Sequence, residues 1–194
     1  MLTAVLLAVA GCGKGSPSSA RPPASSATSS GSSPSASASP SSSAAPVEFT
    51  VDGAGPYTLG AKLTDLQAAG KLNNVTHGST TCSDIITAQG VAPYAGVQMS
   101  FHSDNTLYAL TNTDPGLPTP SGAYIGTNVA DLKKIYARTT NETLNHGTDQ
   151  AFLVITISGR GILFVLNSVQ TVSSMMAGDA GYLRMNFVNG SPFC

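Results

Sequence analysis

Leu59-Gly60-Ala61-Lys62-Leu63-Thr64-Asp65-Leu66 and Ile125-Gly126-Thr127-Asn128-Val129-Ala130-Asp131-Leu132 share one pattern at an offset of 66 residues. The pattern is aliphatic, Gly, two variable positions, aliphatic, one variable position, Asp, Leu. Leu59, Leu63 and Leu66, then Ile125, Val129, Leu132 and Tyr136, recur at the three-and-four spacing that puts apolar side chains on one face of a helix. His77-Gly78 is echoed by His146-Gly147 further along.

After each helical stretch the apolar period changes from about 3.6 to 2. Val97, Met99 and Phe101 alternate with Gln98 and Ser100, and Thr106–Thr111 follows a turn at 102–105. The second half has Phe152–Ile157, Ile162–Leu166 and Thr171–Met176. Alternation and β-branched content make these strands, with Gly159, Gly161 and Asn167 in the turns. Further strands are expected at Val47–Val51 and Gly181–Val188. Three prolines and a glycine in Asp114–Pro120 stop either element and join the halves.

The expected fold class is therefore α+β: two tandem helix-then-antiparallel-strand repeats, about 47–114 and 121–194, with helices packed on antiparallel sheet. The halves either share one sheet or pack side by side. Tandem helix-then-sheet units opening on an aliphatic-Gly pair resemble the β-lactamase-inhibitor-protein fold and the small outer-membrane-assembly lipoproteins of similar build. That resemblance covers residues 57 to 194 in pattern and implies a binding module rather than a catalyst. The chain departs from the inhibitor pattern in having no Trp and one domain cysteine pair, so no inhibitor contact residue carries over.

At the N-terminus, Val9-Ala10-Gly11-Cys12 closes the apolar run Leu2–Ala10. Such a run is too short to span a bilayer, which takes about 20 residues, but it suits the apolar region of an export signal. The stretch resembles a bacterial lipobox, although no Lys or Arg precedes the run. The resemblance implies a signal peptide at 1–11, an acylated Cys12, and attachment to the membrane through that lipid. Residues 16–46 are Ser, Pro and Ala apart from Arg21, Thr28 and Gly31. They have nothing with which to bury a core. Residues 12–46 read as a disordered, lipid-anchored linker with a reach of at least about 30 Å, and 47–194 as the folded domain. The expected location is extracytoplasmic.

The domain carries Lys62, Lys71, Lys133, Lys134, Arg138, Arg160 and Arg184 against ten acids. A net negative domain without basic clusters argues against nucleic acid. Only 10% of the chain is charged, a weakly charged polar composition similar to that of secreted actinobacterial proteins. With Cys12 taken by lipid, Cys82 and Cys194 remain as an even pair in an oxidising compartment. The expectation is a disulfide between them, contributing up to about 4–5 kcal/mol by loop closure.

Catalytic signals are few. His77, His102 and His146 are the only histidines, and no Gly-x-Ser-x-Gly turn offers a strained nucleophile. His77 and His146, each followed by Gly, read as turn residues. The acids stand singly rather than at ligand spacing, and Asp65 and Asp131 read as solvated helix acids. Asp52-Gly53-Ala54-Gly55 lacks the Lys-Ser/Thr ending of a phosphate loop and reads as a turn. Asn74-Val75-Thr76 and Asn141-Glu142-Thr143 match the glycosylation sequon. A concave sheet bearing Tyr94, Tyr108, Tyr124 or Tyr182 offers contact area for a partner. The sequence thus points to a cell-surface lipoprotein acting as a non-catalytic binding module, with no metal, cofactor or catalytic residue assigned. Its expected partner is an envelope protein or a glycan. The alternative is an envelope hydrolase or hydrolase inhibitor.

Overall fold

The alternation at Val97–Phe101 does make a strand, and it lies within one sheet that runs through both halves. A computed structural model describes residues 46–78, 82–156 and 158–193, all within the compact unit Ser43–Cys194. The described residues begin with three two-residue strands: β1 (Phe49–Thr50), β2 (Gly53–Ala54) and β3 (Tyr57–Thr58). The short helix α1 (Leu63–Ala68) follows them. Next come β4 (Leu72–His77), β5 (Ile86–Gly90), β6 (Val97–Phe101) and β7 (Leu107–Asn112), then helix α2 (Val129–Ile135). The last part holds β8 (Thr140–His146), β9 (Asp149–Ile155), β10 (Arg160–Leu166), β11 (Val172–Asp179) and helix α3 (Ala180–Asn189).

Strands β4 to β11 form one eight-stranded antiparallel sheet in the order β4-β5-β6-β7-β11-β10-β9-β8, and β1 to β3 form a separate three-stranded sheet. This overturns the α+β expectation of two tandem helix-then-strand repeats. The described residues are mostly β, with three helices of six, seven and ten residues. The Leu63/Leu66 and Val129/Leu132 stripes are real, but each helix runs less than two turns. Beyond them the chain extends into β4 and β8, whose polar outer residues hid the strand period.

The aligned stretches nevertheless make corresponding local bonds. Gly60 N–H donates to Leu107 C=O and Gly126 N–H to Val172 C=O, both at 2.8 Å. Gly60 and Gly126 sit at φ 93° and 105°, a backbone region that a Cβ disfavours. These bonds tie each glycine turn to the start of a sheet strand.

The strand expected at Gly181–Val188 is helix α3. Asp179 caps it, its side chain accepting from Tyr182 N–H at 2.8 Å. Gly190 at φ 62° ends it, as a left-handed residue ends many helices. Leu183 and Phe187, four apart, supply its buried face.

The two faces of the sheet are covered differently. On one, Met99, Phe101, Leu110, Phe152 and Phe164 pack with Phe49 and Tyr57 of the small sheet and with Leu63, Leu66 and Leu132 of the helices. The small sheet is fastened by the Tyr57 hydroxyl, which donates to Lys71 C=O at 2.7 Å and accepts from Val91 N–H at 2.9 Å. An Arg160–Asp52 ion pair adds a surface link. On the opposite face, Leu153, Leu163 and Met176 pack against Leu183 and Phe187 of α3. Helix α3 lies over β8 to β11.

Candidate functional site

On the face opposite the main core, β4 to β7 present polar side chains in register. Ile86, Ala88, Val97, Met99 and Phe101 point inward and are buried, so the residues between them point outward. Pairing aligns these into two rows across the strands. Thr76, Thr87 and Ser100 stand opposite one another in turn, ending at the small Ala109. Two residues further along β5, β6 and β7, and three along the bulged β4, Asn73, Gln89, Gln98 and Thr111 form the second row. The first row is hydroxyl and the second largely carboxamide, and neither contains a charged group. Asn73, Thr76, Gln89 and Gln98 are exposed, while Thr87, Ser100 and Thr111 are half-buried.

Two shallow recesses lie along these rows. One of about 190 Å³ is bounded by Thr76, Thr87, Ser100, Ile85, Cys82 and Phe193. The other, about 100 Å³, is bounded by Gln89, Gln98, Thr111, Thr113 and Gly96. A bulge in β4 between Asn73 and Thr76 puts Asn74 at φ 49°. Its side-chain amide donates to Gln89 Oε1 at 2.6 Å, which holds the neighbouring carboxamide in place. The Asp114 side chain flanks Gly96 at one margin of the amide row. Buried Asn112 fixes the loop that carries Asp114, donating to its carbonyl at 3.1 Å and accepting from its N–H at 2.9 Å.

An aromatic cluster stands at the other end, where β7 meets α3. His102 stacks on Tyr108 at 4.0 Å, Tyr108 meets Tyr182 edge-on at 5.6 Å, and Tyr182 meets Phe193 at 6.3 Å. Of the four tyrosines singled out by sequence, the structure thus brings Tyr108 and Tyr182 together. Tyr94 packs edge-on against Tyr57, and Tyr124 is exposed at 49%. Burial, and then the neighbouring Tyr108, push the Tyr182 hydroxyl well above the ordinary tyrosine range. That hydroxyl is enclosed beside the Tyr108 hydroxyl, and among the described residues it makes no hydrogen bond of ordinary geometry. Burial likewise raises Tyr108.

The histidines are separated. His77 ends β4 and His146 ends β8, each before a glycine at positive φ (66° and 58°), in the turn positions expected from sequence. His146 Nδ1 also bonds Val188 C=O at 3.0 Å, joining β8 to the end of α3. Asp65 and Asp131 lie in the first turns of α1 and α2, where a negative charge suits the helix dipole. Asn128 and Lys134 hold Asp131; the hydrogen bond from Lys134, then that from Asn128, keep its carboxyl below the usual range. Among the described residues no three His, Cys, Asp or Glu side chains gather where they could share a metal ion. No described helix is long and apolar enough to cross a membrane.

Cys82 is disulfide-bonded. Cys12 and Cys194 lie outside the described residues, as does the 1–45 stretch that carries the signal, anchor and linker expectations. A further recess of about 220 Å³ lies on the main-core side, where Val51, Tyr136, Val154 and Ile162 make its walls largely apolar.

No family model and no curated protein matches the chain. Among solved structures, one similar chain is an extracellular protein containing a SCP domain from Bacillus anthracis str. Ames. It is 13% identical, with a TM-score of 0.44, over 65% of this chain and 46% of that one. Another is the uncharacterized protein yfeY from Escherichia coli, 15% identical with a TM-score of 0.47, over 68% of this chain and 99% of that one. This chain spans under half the length of the Bacillus protein. At these scores the likenesses carry no argument about what the domain binds.

Proposed function

We propose that this chain is a lipid-anchored envelope protein whose domain is a non-catalytic binding module, with the outer face of β4 to β7 as its binding surface. The observation that carries the reading is the unequal cover of the sheet. Helix α3 seals the outer face of β8 to β11 with Leu183 and Phe187, while the same face of β4 to β7 displays two ordered polar rows. The anchor rests on the lipobox resemblance at Cys12, and the standoff on the Ser/Pro/Ala linker. A Cys82–Cys194 bridge would tie the chain end to the segment before β5, beside the recess that Cys82 and Phe193 border.

A non-catalytic role agrees with the placement of the histidines at turns and stacks. A binding role agrees with a rigid scaffold: the face is built on strands of a large sheet, with its margin fixed by Asn112.

The experiment is photo-crosslinking in cells from a probe placed at Gln98, with Lys133 on α2 as the control position. The reading expects a discrete envelope adduct from Gln98 and none from Lys133. Equal or absent adducts at both positions contradict it. Lipid labelling of wild type against Cys12→Ser tests the anchor separately, and equal labelling removes it.

A further inference from the structure

We infer that the paired hydroxyl and amide rows of β4 to β7 bind an uncharged polysaccharide. The inference rests on the binding-surface reading above and names the ligand class for that same face. Thr76, Thr87 and Ser100 on one row, and Asn73, Gln89 and Gln98 on the other, each both donate and accept hydrogen bonds. A ligand dense in hydroxyl groups satisfies such side chains in either direction. A charged ligand finds no counter-charge in either row to offset its desolvation, and Asp114 at the margin repels anions.

The spacing favours an extended ligand. Neighbouring strands lie about 4.8 Å apart, and successive outward residues on a strand about 6.8 Å apart, so the rows repeat their hydrogen-bonding groups across the sheet. Pockets for compact small molecules run to about 300–1,000 Å³. Here the two recesses are about 190 Å³ and 100 Å³, shallow footholds along a path across both rows. Phe193, at the edge of the larger recess, offers an apolar surface for the C–H face of a sugar ring. The Asn74–Gln89 hydrogen bond fixes one amide in advance, which lowers the ordering cost of binding.

A protein partner fits less well. Protein interfaces centre on desolvated aromatic or arginine anchors and the pockets that receive them, and the centre of this face has neither.

The test uses the full chain with Cys12→Ser, read by biolayer interferometry on immobilised dextran, mannan, galactan and β-glucan, with chondroitin sulfate as the anionic comparison. The expected result is binding to at least one neutral polymer, unchanged between about 50 mM and about 500 mM salt because no ionic contact is screened. Gln89→Ala/Gln98→Ala is expected to weaken it at least about tenfold, or 1.4 kcal/mol, with an unaltered circular dichroism spectrum. Lys133→Ala/Lys134→Ala on α2 is expected to leave it unchanged. Binding to no neutral polymer, a preference for chondroitin sulfate, or indifference to the Gln pair overturns the inference. If the Gln98 crosslinker captures a protein while every polysaccharide fails, the ligand class is wrong and the binding surface stands. If neither a protein nor a polysaccharide is captured and none binds, both readings fall.

Discussion

Gln89 and Gln98 stand directly opposite each other on β5 and β6, and Asn73 and Thr111 extend the same row on β4 and β7. Carboxamides in adjacent register on an exposed face stabilise little by themselves, since water satisfies them equally well. Replacing both by Ala is therefore expected to change thermal stability by less than about 0.5 kcal/mol. A melting curve checks this, and a large loss would make the row structural rather than displayed.

The Tyr182 hydroxyl is enclosed beside that of Tyr108 without a hydrogen bond of ordinary geometry among the described residues. A polar group desolvated in this way lowers stability, and its removal is neutral or favourable. Tyr182→Phe is expected to keep or raise stability, by up to about 1 kcal/mol, in urea titration at neutral pH. A loss above that size would show that the hydroxyl has a partner.

The same residue gives a pH dependence. Burial raises Tyr182 above its unfolded value near 10, and burial raises Tyr57, Tyr108 and Tyr136 in the same direction. For a phenol, a raised folded value means that the unfolded chain ionises first. The associated stability is fully present below pH about 10 and falls as pH rises past it. Stability measured between pH 8 and 11 (about one unit or more either side of that value) is expected to drop at the alkaline end, and less steeply in Tyr182→Phe.

Two glycines separate strain from collision. Gly53 sits at φ 138°, and a Cβ there would lie 1.9 Å from the Tyr57 carbonyl oxygen. Gly147, at φ 58°, has nothing within 4 Å. Gly53→Ala is expected to cost about 2–3 kcal/mol or more, and Gly147→Ala about 1 kcal/mol. Chemical denaturation of the two variants compares them; equal costs would contradict the close approach of β2 to β3 at Gly53.

Asp179 holds the start of α3 through Tyr182 N–H. Asp179→Ala is expected to cost about 1 kcal/mol and to lower Tm by about 2–4 °C, whereas Asp179→Asn keeps most of the cap.

What the sequence made legible follows from how strongly each residue advertises its partner. Val97, Met99 and Phe101 alternate with Gln98 and Ser100, so β6 and its two outward polar residues were readable. Strand β4, Leu-Asn-Asn-Val-Thr-His, has two apolar residues and a bulge that breaks their alternation. Asn73 and Thr76 were missed for that reason. Thr87 and Gln89 were missed because β5 is only five residues long and includes Ala and Gly. Both rows come from register between strands, which no single stretch encodes. Helix α3 was misread as a strand because Tyr182, Phe187 and Val188 favour strands. Asp179 before it, Gly190 after it, and the Leu183/Phe187 spacing were the available helix signals. The class was misjudged because two strong helical stripes outweighed strands whose outer faces are polar.

The central claim is that the outer face of β4 to β7 is occupied in the envelope. Maleimide labelling of Ala95→Cys, at an exposed position beside the recess of Gln89 and Gln98, compared between intact cells and the purified chain, tests it most directly, with Lys133→Cys on α2 as reference. The account predicts labelling at position 95 about tenfold slower in cells than in the purified chain, as when roughly nine-tenths of copies carry a ligand, and no such difference at position 133. Equal relative rates at the two positions would contradict it.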